Sequence, residues 1–272
     1  MQDLLAWLKD RARDGLLLWA DHQSAAHRFG FSYRKIEEIA LENGLLPARY
    51  QRNRNMIPLA DQLKLFHSRV VVIGCGGLGG YIIEELARLG VGEIVAVDPD
   101  VFEEHNLNRQ LLATPEFLGL KKVAAAASRV DRLNPSVDLI PVAEAFGPAN
   151  GHQLLKDANI AVDGLDSIAV RLELSQACRE EGIPLVYGSI AGWYGYVGSQ
   201  FPGETTMEKI FGNSASEDGL EKKLGNPSFT PAVVASLEVA EVCKILLNRG
   251  TTVRRRCLSI DLLDMEFTEI EC

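Results

Sequence analysis

The chain has 272 residues, 47% of them hydrophobic, enough for one large core with a small appendage. Lys and Arg number 28 against 37 Asp and Glu, and the formal charge of -9 excludes nucleic-acid binding through a broadly basic surface. No apolar run approaches the ~20 residues that span a bilayer, and no basic segment followed by an apolar core marks export at the N-terminus. The five cysteines (Cys75, Cys178, Cys243, Cys257, Cys272) include no CxxC pair, so neither a zinc site nor a redox pair is expected. Reduced thiols in a cytoplasmic protein fit that count, with Cys178 and Cys243 as small buried hydrophobes.

In chain order, Leu4, Leu5, Trp7, Leu8, Ala12, Leu16 and Trp19 give residues 2–20 a helical spacing. A second helix is predicted over 32–43, with Ser32 as N-cap, Ile36, Ile39 and Ala40 as its stripe and Gly44 at its end. Residues 1–48 therefore read as a small helical extension, a docking or dimerisation arm. Through residue 56 it carries nine basic and seven acidic side chains, too balanced for a helix-turn-helix that reads DNA. The cluster Arg49-Tyr50-Gln51-Arg52-Asn53-Arg54 is either a solvated linker or a source of guanidinium for phosphates. A short amphipathic segment, Leu59 to His67, follows.

The most informative stretch is 68–110. The apolar run Val70 to Ile73 leads into Gly74-Cys75-Gly76-Gly77-Leu78-Gly79, then a helical pattern that Gly90 ends, then the run Ile94 to Val97 ending in Asp98. Strand, glycine turn, helix, strand and acid make a nucleotide-binding unit. Gly74, Gly76, Gly77 and Gly79 shape a turn whose free N–H groups meet an anion, and Asp98 accepts from ribose hydroxyls. A nicotinamide dehydrogenase keeps no cation near the phosphates, whereas here Asn106, Arg109 and Gln110 follow the acid and Lys121-Lys122 open an alanine-rich helix. Cations so placed suit a triphosphate. As a solvated side chain Lys122 would oppose the helix dipole, a conflict that a nearby anion removes.

Val137 to Val142 and Ile160 to Asp163 read as further strands. After the second, Asp166 either holds Mg²⁺ beside phosphates or caps the helix Ile168 to Glu181, with Asp163 as the reserve ligand. A buried strand at 184–187 and an antiparallel strand or hairpin at 191–201 come next. Gly203 to Pro227 has no apolar period beyond one turn at Met207, Ile210 and Phe211, and loops of that length are usually functional or mobile. An apolar helix, Ala232 to Leu247, the basic run Arg254-Arg255-Arg256 as a solvated turn, and one or two terminal strands complete the chain.

Taken together, Arg49-Tyr50-Gln51-Arg52-Asn53, the glycine turn, Asp98-Pro99-Asp100, Asn106-Leu107-Asn108-Arg109-Gln110, Gly119-Leu120-Lys121-Lys122, Leu133-Asn134-Pro135 and Asp163-Gly164-Leu165-Asp166 resemble the ThiF/MoeB/HesA family, relatives of the ubiquitin-activating enzymes. The resemblance covers residues 49–270. It implies an α/β fold: a Rossmann-like nucleotide-binding domain with a mixed sheet, parallel in one half and antiparallel in the other, over 49–272, beside the N-terminal extension. It implies a homodimer that uses ATP and Mg²⁺ to adenylate the C-terminal glycine carboxylate of a small ubiquitin-like (β-grasp) sulfur-carrier protein, releasing pyrophosphate, without membrane or nucleic-acid partners. Carried over by residue, Asp98 holds the ribose, Arg109, Gln110 and Lys122 hold phosphates, Asp166 sits by the metal, Arg52 comes from the partner subunit, and 203–227 is a crossover loop. The family's zinc CxxC pairs are absent, Gly225 to Phe229 lacks its late cysteine, and Ser167 replaces a common Asn. Thioester or persulfide chemistry is thereby put in doubt, while adenylation is left intact. Other readings are adenylation of a tRNA nucleoside or peptide carboxylate, a nicotinamide oxidoreductase, and a non-catalytic nucleotide-binding adaptor.

Overall fold

The computed structural model describes residues 2–212 and 224–271. One eight-stranded sheet organises it. Five parallel strands, β3 (Arg69–Ile73), β4 (Glu93–Val97), β5 (Asp138–Val142), β6 (Ile160–Asp163) and β7 (Leu185–Ala191), continue into three antiparallel ones, β8 (Tyr194–Gln200), β9 (Arg256–Asp261) and β10 (Glu266–Glu271). The order is β10-β9-β8-β7-β6-β3-β4-β5, which is the mixed sheet expected. Val70, Val71, Val72 and Ile73 are all buried because helices cover both faces of the parallel half. On one face lie α5 (Gly77–Leu89), α6 (Lys122–Leu133) and α10 (Phe229–Leu247). On the other lie α7 (Gly151–Leu155), α8 (Ile168–Glu181) and α9 (Thr206–Phe211). Among the described residues no helix is long and apolar enough to cross a membrane.

The first residues depart from the predicted single helix over 2–20. Helix α1 (Gln2–Arg11) stops, Asp14 and Gly15 turn with positive φ, and β1 (Leu16–Leu17) pairs in parallel with β2 (Leu46–Pro47) before α2 (Trp19–Phe29) begins. The Asp-Gly turn overrides the apolar spacing, because left-handed backbone cannot sit inside a helix. Helix α3 (Tyr33–Glu42) starts where expected, Ser32 Oγ accepting from the Lys35 N–H at 3.2 Å. Leu4, Leu8, Leu17, Ala25, Ile36 and Ala40 form a core of their own. Within it, burial pushes His22 down to about 4, and its ring nitrogen Nε2 lies 2.8 Å from the Tyr33 carbonyl.

Two staples join this helical module to the sheet, both at the end where the parallel strands begin. Arg34 lies over the Phe66 ring at 4.8 Å, pairs with Asp138 at 3.1 Å and donates to the Gly92 carbonyl. In the second, the Tyr50 hydroxyl donates to Glu37 (2.8 Å) and accepts from Asn134 (2.8 Å), which also donates to the Ala87 carbonyl at the end of α5 (2.9 Å). Arg49 donates to Asn134 Oδ1 and stacks 4.8 Å over Trp19. Arg49 is thus committed to the module junction and is no phosphate ligand. In the run Arg254–Arg256, Arg254 and Arg255 are exposed, as expected of a solvated turn, and each bonds Glu204 at 2.7 Å, while Arg256 opens β9 paired with Glu269.

Candidate active site

The other end of the parallel strands opens into a cavity of about 1330 Å³. Its floor is the turn between β3 and α5. Gly74 has φ +92°, which favours glycine, and a Cβ there would stand 2.5 Å from the Gly164 carbonyl oxygen. A Cβ on Gly79 would overlap the Gly74 carbonyl. Three stretches of bare backbone are therefore pressed together, and Gly79 serves that contact without lining the cavity. Gly76 and Gly77 do line it. Gly76 is the N-cap of α5, without a side-chain cap, so the first N–H groups of that helix point at open space.

Asp98, at the end of β4, is buried, and its carboxylate accepts from the Cys75 N–H (2.7 Å) and the Asp100 N–H (2.8 Å). Those bonds fix its orientation and leave lone pairs for a hydroxyl on the cavity side. Gln110 is buried with Oε1 lacking any partner, and its Nε2 stands 3.5 Å from where a Cβ on Gly76 would be. Such an orphaned carboxamide oxygen is costly unless a ligand donor meets it. Arg109 lines the cavity, held by donation to the His105 carbonyl (3.0 Å) and Asn108 Oδ1 (2.9 Å).

Lys122 opens α6 almost fully buried. Its ammonium lies 3.0 Å from the Asp100 carboxylate, and its N–H donates to the Asp100 carbonyl, also at 3.0 Å. Asp100 is the nearby anion that relieves the opposed helix dipole. The sequence showed it within the Asp98-Pro99-Asp100 motif but gave it no role of its own.

Asp166 is exposed on the cavity wall. The N-cap of α8 is Ser167, with no side-chain cap, so capping does not occupy Asp166. Asp163, the reserve ligand, is consumed elsewhere: it is fully buried, pairs with Arg171 at 3.0 Å and accepts from the Leu165 N–H at 2.9 Å. Arg171 also donates to the Gly188 and Leu165 carbonyls, bracing the loop that carries Asp166. No pattern in the sequence singled out Arg171. Two other expected residues lie outside the cavity. Asn106 Oδ1 accepts from the Glu103 N–H at 3.0 Å in a capping box, so it shapes the turn that presents Arg109 and Gln110. Arg52 is exposed in the turn after Tyr50 and does not line the cavity of its own chain.

The cavity continues past Asp166 into an arm lined by Ser189, Tyr194, Tyr196, Ser259 and Asn226. Much of the predicted crossover loop, residues 213–223, lies outside the described residues. Behind the floor, Glu238 of α10 is fully buried against Gly188, with no partner for either carboxylate oxygen. Burial first, and Asp163 second, push its carboxyl well above the usual range. Cys75, Cys178 and Cys257 are buried and Cys243 is half-buried.

The chain is similar to several known proteins. The chain is 36% identical over 227 residues to the SAMP-activating enzyme E1 of Haloferax volcanii, covering 82% of this chain and 84% of that protein. It is 37% identical over 164 residues to the sulfur carrier protein ThiS adenylyltransferase of Bacillus subtilis, 59% of this chain but 49% of that one. To the molybdopterin-synthase adenylyltransferase of Escherichia coli it is 29% identical, covering 77% and 85%. Among solved structures, E. coli MccB with ATP superposes with a TM-score of 0.68 at 21% identity, covering 92% of this chain and 82% of that one, a likeness of fold. The family model described as ThiF matches residues 50–272, so the glycine turn, Asp98, Lys122 and Asp166 all fall within it, and the chain belongs to the ThiF family.

Proposed function

We propose that this adenylyltransferase activates the C-terminal glycine carboxylate of a small ubiquitin-like sulfur-carrier protein, using ATP and Mg²⁺ and releasing pyrophosphate. The observation that carries the reading is the union, in one cavity, of an anion-ready glycine turn, the donors Arg109, Gln110 and Lys122, and the unengaged carboxylate of Asp166. The names of the Haloferax and Bacillus relatives support the choice of carrier. The donor set fits ATP. Asp98 takes the ribose, the N-terminus of α5 faces the phosphates, and Gln110 Nε2 donates to a phosphate oxygen. Asp166 would hold Mg²⁺, which offsets the phosphate charge.

In the reaction a carboxylate oxygen of the carrier tail, lying in the arm beside Tyr194 and Tyr196, attacks the α-phosphorus. A new P–O bond forms, the bond to the bridging oxygen breaks, and pyrophosphate leaves with the electron pair. Two anions must meet, so Arg109 and Lys122 offset their repulsion and hold the charge that builds on the leaving group. No side-chain nucleophile is needed. In this reading the active form is a homodimer in which the partner's copy of the turn after Tyr50 brings a guanidinium to the triphosphate, the segment around 203–227 covers the tail, and residues 1–48 form a separate appendage.

ATP–pyrophosphate exchange tests this directly. Exchange should require a carrier protein with a Gly-Gly end and fall at least about 100-fold in Arg109→Ala and in Asp166→Ala. Exchange supported only by a short peptide or tRNA would reassign the substrate. Wild-type activity in both variants would remove the assignment of the site.

A further inference from the structure

Asp166 is aimed by its neighbours. Among the described residues no hydrogen bond or ion pair holds its carboxylate, so its direction is set by the backbone on either side. Arg171 holds both sides. Its guanidinium donates to the Leu165 carbonyl, and its backbone N–H donates to the Ser167 carbonyl at 3.0 Å. The same guanidinium is anchored to Asp163 of β6 at 3.0 Å and to the Gly188 carbonyl of β7 at 2.7 Å. Such a brace works only while the guanidinium keeps its place and stays dry, and Arg171 is 4% exposed.

Helix α9 closes it off. Arg171, Ser175 and Arg179 stand four residues apart on α8 and so form one stripe along that helix. Each member of the stripe touches α9. The Arg171 guanidinium lies 5.5 Å over the Phe211 ring, the Ser175 hydroxyl donates to Glu208 at 3.3 Å, and Arg179 pairs with Glu208. Near the start of α9 the Met207 N–H donates to Gln200 Oε1 at 3.0 Å, and the Met207 side chain is fully buried. A helix of six residues has little stability of its own, yet this one is fastened along its length. Its last residue, Phe211, also meets the Tyr187 ring edge-on at 6.4 Å. The ring thus sits between the sheet and the guanidinium, at the cavity wall. Any apolar side chain of that size would fill the space. An aromatic face also attracts a desolvated cation and fixes its plane.

We propose that Phe211 is a positioning residue for Asp166, acting through Arg171. With the ring in place the guanidinium is sealed from water and keeps its hold on the Leu165 carbonyl. Without it, water competes for the N–H donors, and residues 164–167 loosen. The inference rests on the reading of Asp166 as the carboxylate on the Mg²⁺ side of the site.

Hydrogen exchange in the ligand-free, full-length protein, read by mass spectrometry, tests the brace without metal or substrate. Phe211→Leu keeps apolar bulk and removes the ring. Amides of residues 164–167 should then exchange about tenfold faster than in the wild type, while those of α10 keep their rates. Phe211→Tyr, which keeps the ring, should recover most of the difference. In the pyrophosphate-exchange assay Phe211→Leu should raise the half-saturating Mg²⁺ concentration about tenfold and lower the maximal rate by less. Unchanged exchange at 164–167, an equal acceleration across α10, or the same behaviour in the leucine and tyrosine variants would each overturn the inference. Full activity of Asp166→Ala is a separate outcome: it would overturn the reading of the site, and the inference with it.

Discussion

Glu238→Gln is expected to stabilise the protein, and to do so more strongly as the pH rises. Glu238 is sealed between α10 and Gly188 with neither carboxylate oxygen partnered. Asp163 adds repulsion that Arg171, already paired with Asp163, offsets only in part. The folded chain therefore keeps the Glu238 proton, whereas the unfolded chain loses it near the ordinary value of 4.5. For an acid whose folded value is raised, the native state binds more protons than the unfolded state above that point. Stability then falls with pH until the folded group itself ionises. Over the span in which the unfolded group is ionised and the folded one is not, each pH unit costs about 1.4 kcal/mol. Glutamine fills the same space without a proton to lose. Urea unfolding of both proteins at pH 5 and pH 7.5, at one protein concentration, measures the difference. The gain should be smaller at pH 5 than at pH 7.5. A gain independent of pH, or a variant weaker at both values, would refute a neutral, unpaired Glu238.

Two further outcomes rest on the polar pairs. Asp100→Asn removes the anion that holds Lys122, so kcat/KM for ATP in the exchange assay should fall about tenfold, with partial recovery in Asp100→Glu; an unchanged value would show that Lys122 needs no positioning. Tyr50→Phe takes one hydroxyl from between Glu37 and Asn134 and should cost about 1–3 kcal/mol in urea unfolding, with exchange activity at the wild-type level; activity lost in proportion to stability would mean that the module junction reaches the site.

The elements legible in the chain were those whose pattern is local. The run Val70 to Ile73 could only be a strand covered on both faces, and the glycine turn behind it announced the nucleotide unit. Helix α8 began and ended where its apolar spacing did. At Asp14-Gly15 two local signals competed, and the turn prevailed because positive φ is incompatible with a continuing helix. Strand β10, by contrast, is exposed along its length, so its apolar alternation reflects pairing with β9 and no burial. The site followed the same division. Asp98, Lys122 and Asp166, named from strand ends and a helix start, and Gln110, named from the segment after Asp98, line one cavity. What holds them was hidden, because Asp100–Lys122 and Asp163–Arg171 are pairs formed across turns that only the folded chain closes. Asn106 was assigned to the ligand side by its neighbours, yet its carboxamide is spent on a capping box. Arg52 does not line the nucleotide cavity of its own chain, and no pattern within one chain reveals where an exposed arginine will be used.

The contact among Gly74, Gly79 and Gly164 has a consequence for how the enzyme tolerates change. The turn between β3 and α5 and the loop that carries Asp166 meet main chain to main chain, with no side chain between them to act as a shim. Their spacing is set by peptide geometry and not by the volumes of core residues. Repacking the apolar layers under α5 or α8 would then alter how firmly the protein folds while leaving the gauge between the glycine turn and the Asp166 loop unchanged. A single methyl group at any of the three glycines would reset that gauge directly.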